Sequence, residues 1–60
     1  MAVNKIEQVR EKKGISRYRL AKLTGLNYVS IWKVENGGDI KLSNLRKIAE
    51  ALGVEVKDLI

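Results

Sequence analysis

The side chains able to do chemistry in this chain concentrate between Ser16 and Gly37, SRYRLAKLTGLNYVSIWKVENG. They offer contact chemistry: cations, amides, hydroxyls and a few apolar groups set among them. Nothing points to bond-making. The chain has no His, no Cys and no phosphate-cradling glycine motif, and its carboxylates are scattered without a visible acid–base pair. Catalysis is therefore the least expected activity, the usual zinc site and thiol nucleophile are excluded, and no cofactor is expected. Arg17 and Arg19 fall where the first turn of a helix is expected, and a cation there opposes the helix dipole at about 0.3–1 kcal/mol. Two readings of that penalty stand open. Either a phosphate sits at this helix end, where amides and arginines converge, or these are surface charges that cost little.

The elements that must position these groups are legible from local chemistry. Ser16 is a good N-cap, and Leu20 and Ala21 make an apolar stripe that Thr24 closes weakly. Gly25 ends this helix in the left-handed conformation that glycine adopts at little cost. Asn27 offers a second N-cap, Ile31 and Val34 recur at helical spacing, and Asn36-Gly37 closes the segment. Helix, tight turn and helix in this order make a helix-turn-helix, a device that lays its second helix in a DNA groove.

Around this segment the chain reads as all-α, a compact bundle of five short helices in one domain over residues 1–60. Helix 1 is expected from near Asn4 to Lys13, burying Ile6 and Val9, with Gly14 as C-cap. Helices 2 and 3 are the motif, and Gly37-Gly38-Asp39 is a flexible turn. Helix 4 shows the clearest periodicity, with Leu42, Leu45, Ile48, Ala49 and Leu52 on one face and Gly53 as its stop. A final turn around Val56 to Leu59 returns apolar groups to the core. No apolar alternation is sustained, so no strand competes.

Charge is uneven along the chain. Residues 1–33 carry eight Lys/Arg against Glu7 and Glu11, whereas residues 34–60 carry four against five acids. The whole excess of +5 thus lies with the helix-turn-helix half, which suits a polyanionic partner. No run approaches the roughly 18 apolar residues of a membrane span, and no secretory segment is visible. A cytoplasmic domain with no membrane partner and no small-molecule site is expected.

The motif resembles one family closely. Ser16, Leu20, Ala21, Gly25, Leu26, Ile31, Glu35, Asn36 and Gly37 match, at the right spacing, the helix-turn-helix family of phage repressors, Cro proteins and their bacterial relatives (XRE-type transcriptional regulators). Val9, Arg10, Lys13, Gly14 and Ile15 precede the motif as in that family. Leu42, Leu45, Ile48, Ala49, Leu52, Gly53 and Leu59 follow it, so the resemblance covers about residues 5 to 60. Two departures stand out. The proline common before helix 4 is missing, and Lys41 sits where a Ser or Thr cap is usual. The connection is then either mobile and ordered against DNA, or locally repacked with Asp39 as the cap.

The resemblance implies roles residue by residue. Asn27, Tyr28, Val29 and Lys33 occupy the family's groove-facing positions, and Tyr28, Val29 and Lys33 are the expected base contacts: Tyr28 can reach a base edge or phosphate, Val29 suits a thymine methyl, and Lys33 can bond guanine acceptors or a phosphate. Arg17, Asn27, Ser30, Asn36 and Lys41 fall at positions that touch the DNA backbone, while Gly38 replaces a frequent cation and Asp39 would repel phosphate. Arg19 and Trp32 are placed at DNA or at an interface; for Trp32, stacking on sugar-phosphate and leaning on the 37–40 loop are both open. Arg10 and Glu35 form a structural ion pair in the family, fixing the recognition helix against helix 1. Leu59 matches a core position, and Ile60 is either part of a two-fold contact or a frayed end.

These implications make a sequence-specific reader of double-stranded DNA, most simply a repressor, that binds a palindromic operator as a homodimer. The alternative is an antitoxin-like or co-activator-like module in which Tyr28, Val29 and Trp32 hold a protein partner. Non-specific DNA coating is a third. The sequence suits a complete Cro-like protein and a domain of a longer repressor equally.

Overall fold

The computed structural model describes residues 4–60, so the first three residues of the domain expected over 1–60 lie outside the described residues. Four α-helices follow in order: α1 (Ile6–Lys12), α2 (Arg17–Thr24), α3 (Tyr28–Glu35) and α4 (Leu42–Leu52). The fifth helix expected from the sequence is a single 3-10 turn, Val56–Asp58, and no strand occurs among the described residues. Its Glu55 and Asp58 side chains form a reciprocal capping box, with the Glu55 amide donating to Asp58 Oδ2 at 3.0 Å. Three residues are enough to return Leu59 to the core, where it is fully enclosed.

Helix α1 is shorter than expected. Asn4 stands outside it, accepting from the Ile6 amide at 3.0 Å, and Lys13 rather than Gly14 is its C-cap. Gly14 occupies the next position, and the Ile15 amide donates back to the Arg10 carbonyl at 3.0 Å.

The caps of the central motif form as the local chemistry demands. Ser16 accepts from the Arg19 amide at 3.1 Å, and Asn27 accepts from the Val29 amide at 2.7 Å. Gly25 takes φ +75°, where a side chain would be strained, and its amide closes on the Ala21 carbonyl. Thr24 braces the same turn, donating to Leu20 O at 2.8 Å while accepting from the Leu26 amide at 3.2 Å.

The core takes one side chain from α1, two each from α2 and α3, three from α4, and Leu59 just after the 3-10 turn. Ile6, Leu20, Ile31, Ile48 and Leu59 are completely enclosed, with Ala21, Val34, Ala49 and Leu52 around them. Helix α2 lies between α3 and α4 and packs on both. The Lys5 amide donates to Leu59 O at 2.8 Å, tying the start of α1 to the end of the 3-10 turn. Leu42 departs from expectation: it opens the apolar stripe of α4 yet is 56% exposed, because the first turn of that helix projects past the core. The stripe that is buried begins at the half-buried Leu45 and runs through Ile48, Ala49 and Leu52.

Asp39 is not the cap of α4. Helix α4 starts at Lys41 with no side-chain cap. Order comes instead from Gly38, whose amide donates to the Lys33 carbonyl at 2.7 Å. A Cβ at this position would lie 2.8 Å from that same carbonyl oxygen, so glycine is what permits the approach.

Candidate nucleic-acid interface

Helix α3 has two faces of opposite character. Ile31, Val34 and Glu35 are buried against the rest of the domain. At 3.6 residues per turn, Val29 and Lys33 then stand one above the other at the centre of the outward face, with Tyr28 and Trp32 along one flank and Ser30 along the other. Tyr28, Val29 and Trp32 are 46%, 54% and 47% exposed, and Ser30 and Lys33 are also exposed. No core packing explains these apolar groups. They stand on a solvent face beside a lysine.

The second flank continues into the α3–α4 connection. Ser30, Lys33, Lys41 and Asn44 line one open groove, floored by Leu26, Ile31, Val34 and Ile40, with Asp39 on its rim. The sequence reading named three of these four polar groups; Asn44 was missed because it falls inside the apolar repeat of α4. Asp39 in the same groove offsets part of the positive charge. Trp32 does not line this groove, and its flank position places it away from the connection.

Caps and contacts share side chains. Asn27 uses its carbonyl oxygen on the Val29 amide, which leaves its amide nitrogen for an outside acceptor. Asn36 is exposed, but its Nδ2 donates to the Trp32 carbonyl at 2.8 Å, so it serves the end of α3 first. Arg19 is exposed in the first turn of α2. One turn further along that helix, the Lys22 ammonium lies 4.9 Å from the Tyr18 ring centre.

The inner face is held by ions. Arg10 Nε donates to Glu35 Oε2 at 2.8 Å and Nη2 to Oε1 at 3.4 Å, while Nη1 donates to the Ile15 carbonyl at 2.9 Å. Both residues of this pair are buried. Arg17 joins them: its Nε donates to Glu35 Oε1 at 2.7 Å and its Nη2 to Glu7 Oε2 at 3.0 Å. Glu35 above all, and then the Tyr28 hydroxyl, hold the Arg17 guanidinium well above its ordinary pKa, so it stays a cation. Two arginines and two glutamates thus form a neutral cluster across α1, α2 and α3. Among the described residues no buried side-chain nitrogen or oxygen lacks a partner.

Glu7 and the inward bonds of Arg17 are what the sequence reading missed. A signal existed: Glu7 lies three residues before Arg10 on α1, the spacing that puts two charges on one face. Asn4 was also missed as a tie, donating from Nδ2 to the Val34 carbonyl at 2.8 Å and so pinning α3 from below.

A rigidly held helix with an exposed, mixed apolar and basic outer face, preceded by a capped helix and a glycine turn, defines a helix-turn-helix DNA-binding protein. The comparisons agree. A sequence model described as helix-turn-helix matches residues 6–59, and the chain belongs to that family, the XRE-type DNA-binding transcription regulators, which are in general not enzymes. Among solved structures, the chain is similar to the restriction-modification controller protein C.AhdI from Aeromonas hydrophila, with a TM-score of 0.89 and 35% sequence identity. The match covers 93% of this chain and 86% of that one. No curated protein matches the chain. Among the described residues no helix is long and apolar enough to cross a membrane.

Proposed function

We propose that this chain, a single domain over residues 1–60, is a sequence-specific regulator that represses transcription by occupying a palindromic DNA operator as a homodimer in the cytoplasm. The observation that carries the reading is the outer face of α3. Val29 and Lys33 are exposed there with no structural duty of their own, and Tyr28 is exposed beside them, on a helix whose opposite face is pinned by Glu35 and Val34. In the major groove Val29 packs on thymine methyls, Lys33 donates to guanine acceptors, and Tyr28 reaches a base edge. Asn27, Ser30, Asn36 and Lys41 surround that face and donate to phosphates, with Arg17 and Arg19 at the start of α2 and Trp32 beside the sugar-phosphate. Likeness to a restriction-modification controller protein supports a role in regulation.

Two copies would read half-sites roughly 10–10.5 base pairs apart, or a multiple of that spacing. With about three phosphates neutralised per copy, log K against log salt should fall with a slope of about −5. The test is selection from a randomised duplex library at about 150 mM salt, where non-specific attraction is weakened. Enrichment of an inverted repeat supports the reading. Failure to enrich any sequence, with the fold retained, would overturn it and turn Tyr28, Val29 and Trp32 into a surface for a protein partner.

A further inference from the structure

The Arg17 side chain is only 26% exposed, although it stands in the first turn of α2 beside the expected DNA backbone. Its Nε is bonded to a carboxylate with no exposure at all, Glu35, and its Nη2 to Glu7 on α1, which is 43% exposed. This is more than a surface ion pair. Glu35 alone faces two guanidinium groups, Arg10 and Arg17, which would leave an excess positive charge in a buried place. Glu7 restores neutrality, and it reaches the cluster only through Arg17. A planar guanidinium can hold two carboxylates at once in fixed directions; a lysine ammonium on the same stem cannot. The Tyr28 hydroxyl also favours the charged form of Arg17, which links the first residue of the recognition helix to the cluster as well as its last.

We infer that Arg17 is a positioning residue: it fixes the orientation of α3, and through it the register of Tyr28, Val29 and Lys33, by bridging Glu7 and Glu35. This rests on the proposed reading of α3 as a DNA reader. It changes the duty of Arg17 from a phosphate anchor to a strut, and it accounts for a cation kept at the wrong end of a helix dipole, because the nearby charge it answers is Glu35.

The two roles separate in the 60-residue chain by the variants Arg17→Lys and Arg17→Gln, each checked for retained helicity by circular dichroism. The first readout needs no DNA: backbone amide resonances of α1 to α4, with the emission of Trp32, the sole tryptophan, as a second reporter on α3. A strut predicts that Arg17→Lys shifts the amides of α3 while those of α4 stay in place. The second readout is binding to the duplex enriched by the parent chain and to a scrambled duplex. A strut predicts that Arg17→Lys lowers the ratio of specific to scrambled affinity about tenfold, the order of one lost base contact, with the salt slope unchanged. Full retention of that ratio by Arg17→Lys, together with a slope about 1 shallower per copy in Arg17→Gln, would overturn the inference in favour of a phosphate anchor. If the library enriches no sequence, the DNA reading fails on its own. The α3 resonances still decide the strut: unmoved amides in Arg17→Lys overturn it.

Discussion

Lys33 and Glu35 lie two residues apart on α3 and occupy different solvents. The Glu35 side chain has no exposure and receives bonds from two arginines; Lys33 stands on the outer face beside Val29. The inner region consists of charges whose partners all lie within the domain, Glu7, Arg10, Arg17 and Glu35. In the outer region, Val29 and Lys33 have side chains with no partner inside the domain, and Tyr28 beside them is shared between the two regions. The contrast teaches that charge alone does not mark the interface of a small basic domain. What marks it is polar and apolar surface left without internal duty, carried on an element that internal charges hold still.

The largest effect is expected from breaking the inner region. Glu35→Ala leaves Arg10 buried without its carboxylate, a change that costs about 3–5 kcal/mol. Natural domains hold on the order of 0.1 kcal/mol per residue, so this approaches the entire stability of a 60-residue chain. Urea unfolding followed by circular dichroism should show little folded protein, and a loss below about 1 kcal/mol would mean the cluster is solvated. Pairing Glu35→Leu with Arg10→Met should restore much of the stability, since removing both ions also removes their desolvation cost. The outer region should behave in the opposite way. Lys33→Ala and Val29→Ala should each leave the unfolding midpoint nearly unchanged, within about 0.5 kcal/mol, while costing about 1–3 kcal/mol of discrimination between the selected duplex and its point variants. Equal losses on all duplexes would move that residue from base reading to backbone contact.

The two regions were not equally legible in the sequence. Ser16, Gly25 and Asn27 were readable because a cap or a left-handed turn is decided within three residues, and Ile31 with Val34 because helical period alone sets which face is inward. The exposed positions of Tyr28, Val29 and Lys33 follow from that same period. Arg17 was not readable: a cation in a first turn looks the same whether its partner is a phosphate or Glu35, 18 positions away. Only the packing of α2 on α3 chooses. Leu42 misleads for a related reason, since period fixes its direction around the helix axis but not how far along that axis the core extends. The fifth helix shrank to Val56–Asp58 because the capping box of Glu55 and Asp58 closes a single tight turn before Leu59 re-enters the core.

Between inner and outer regions sits a joint, and it can be loosened alone. In Gly38→Ala the new methyl would press on the Lys33 carbonyl, backbone against backbone, at a separation that must open. The expected cost is about 1–2 kcal/mol, at the middle of the usual range for single substitutions. It should come with weakened DNA binding, since Ser30, Lys33 and Lys41 share the groove that Gly38 shapes. Unchanged stability would mean that the connection adapts freely, and the ordered closure after α3 would then carry no energetic weight.

The smallest effect tests where the domain ends rather than how it reads DNA. Leu42 lies over half exposed at the start of α4, so Leu42→Ser should alter monomer stability by less than about 0.5 kcal/mol. Ile48, on the same stripe but fully enclosed, admits no such change. The value of Leu42→Ser lies in its concentration dependence. A side chain that is exposed in one copy and covered in a pair gains stability by mass action, so its removal lowers the unfolding temperature more at high protein concentration than at low. A shift independent of concentration leaves Leu42 as ordinary exposed apolar surface. A shift that grows with concentration places it in the homodimer contact, and the apolar stripe of α4 would then run unbroken from the core into the partner.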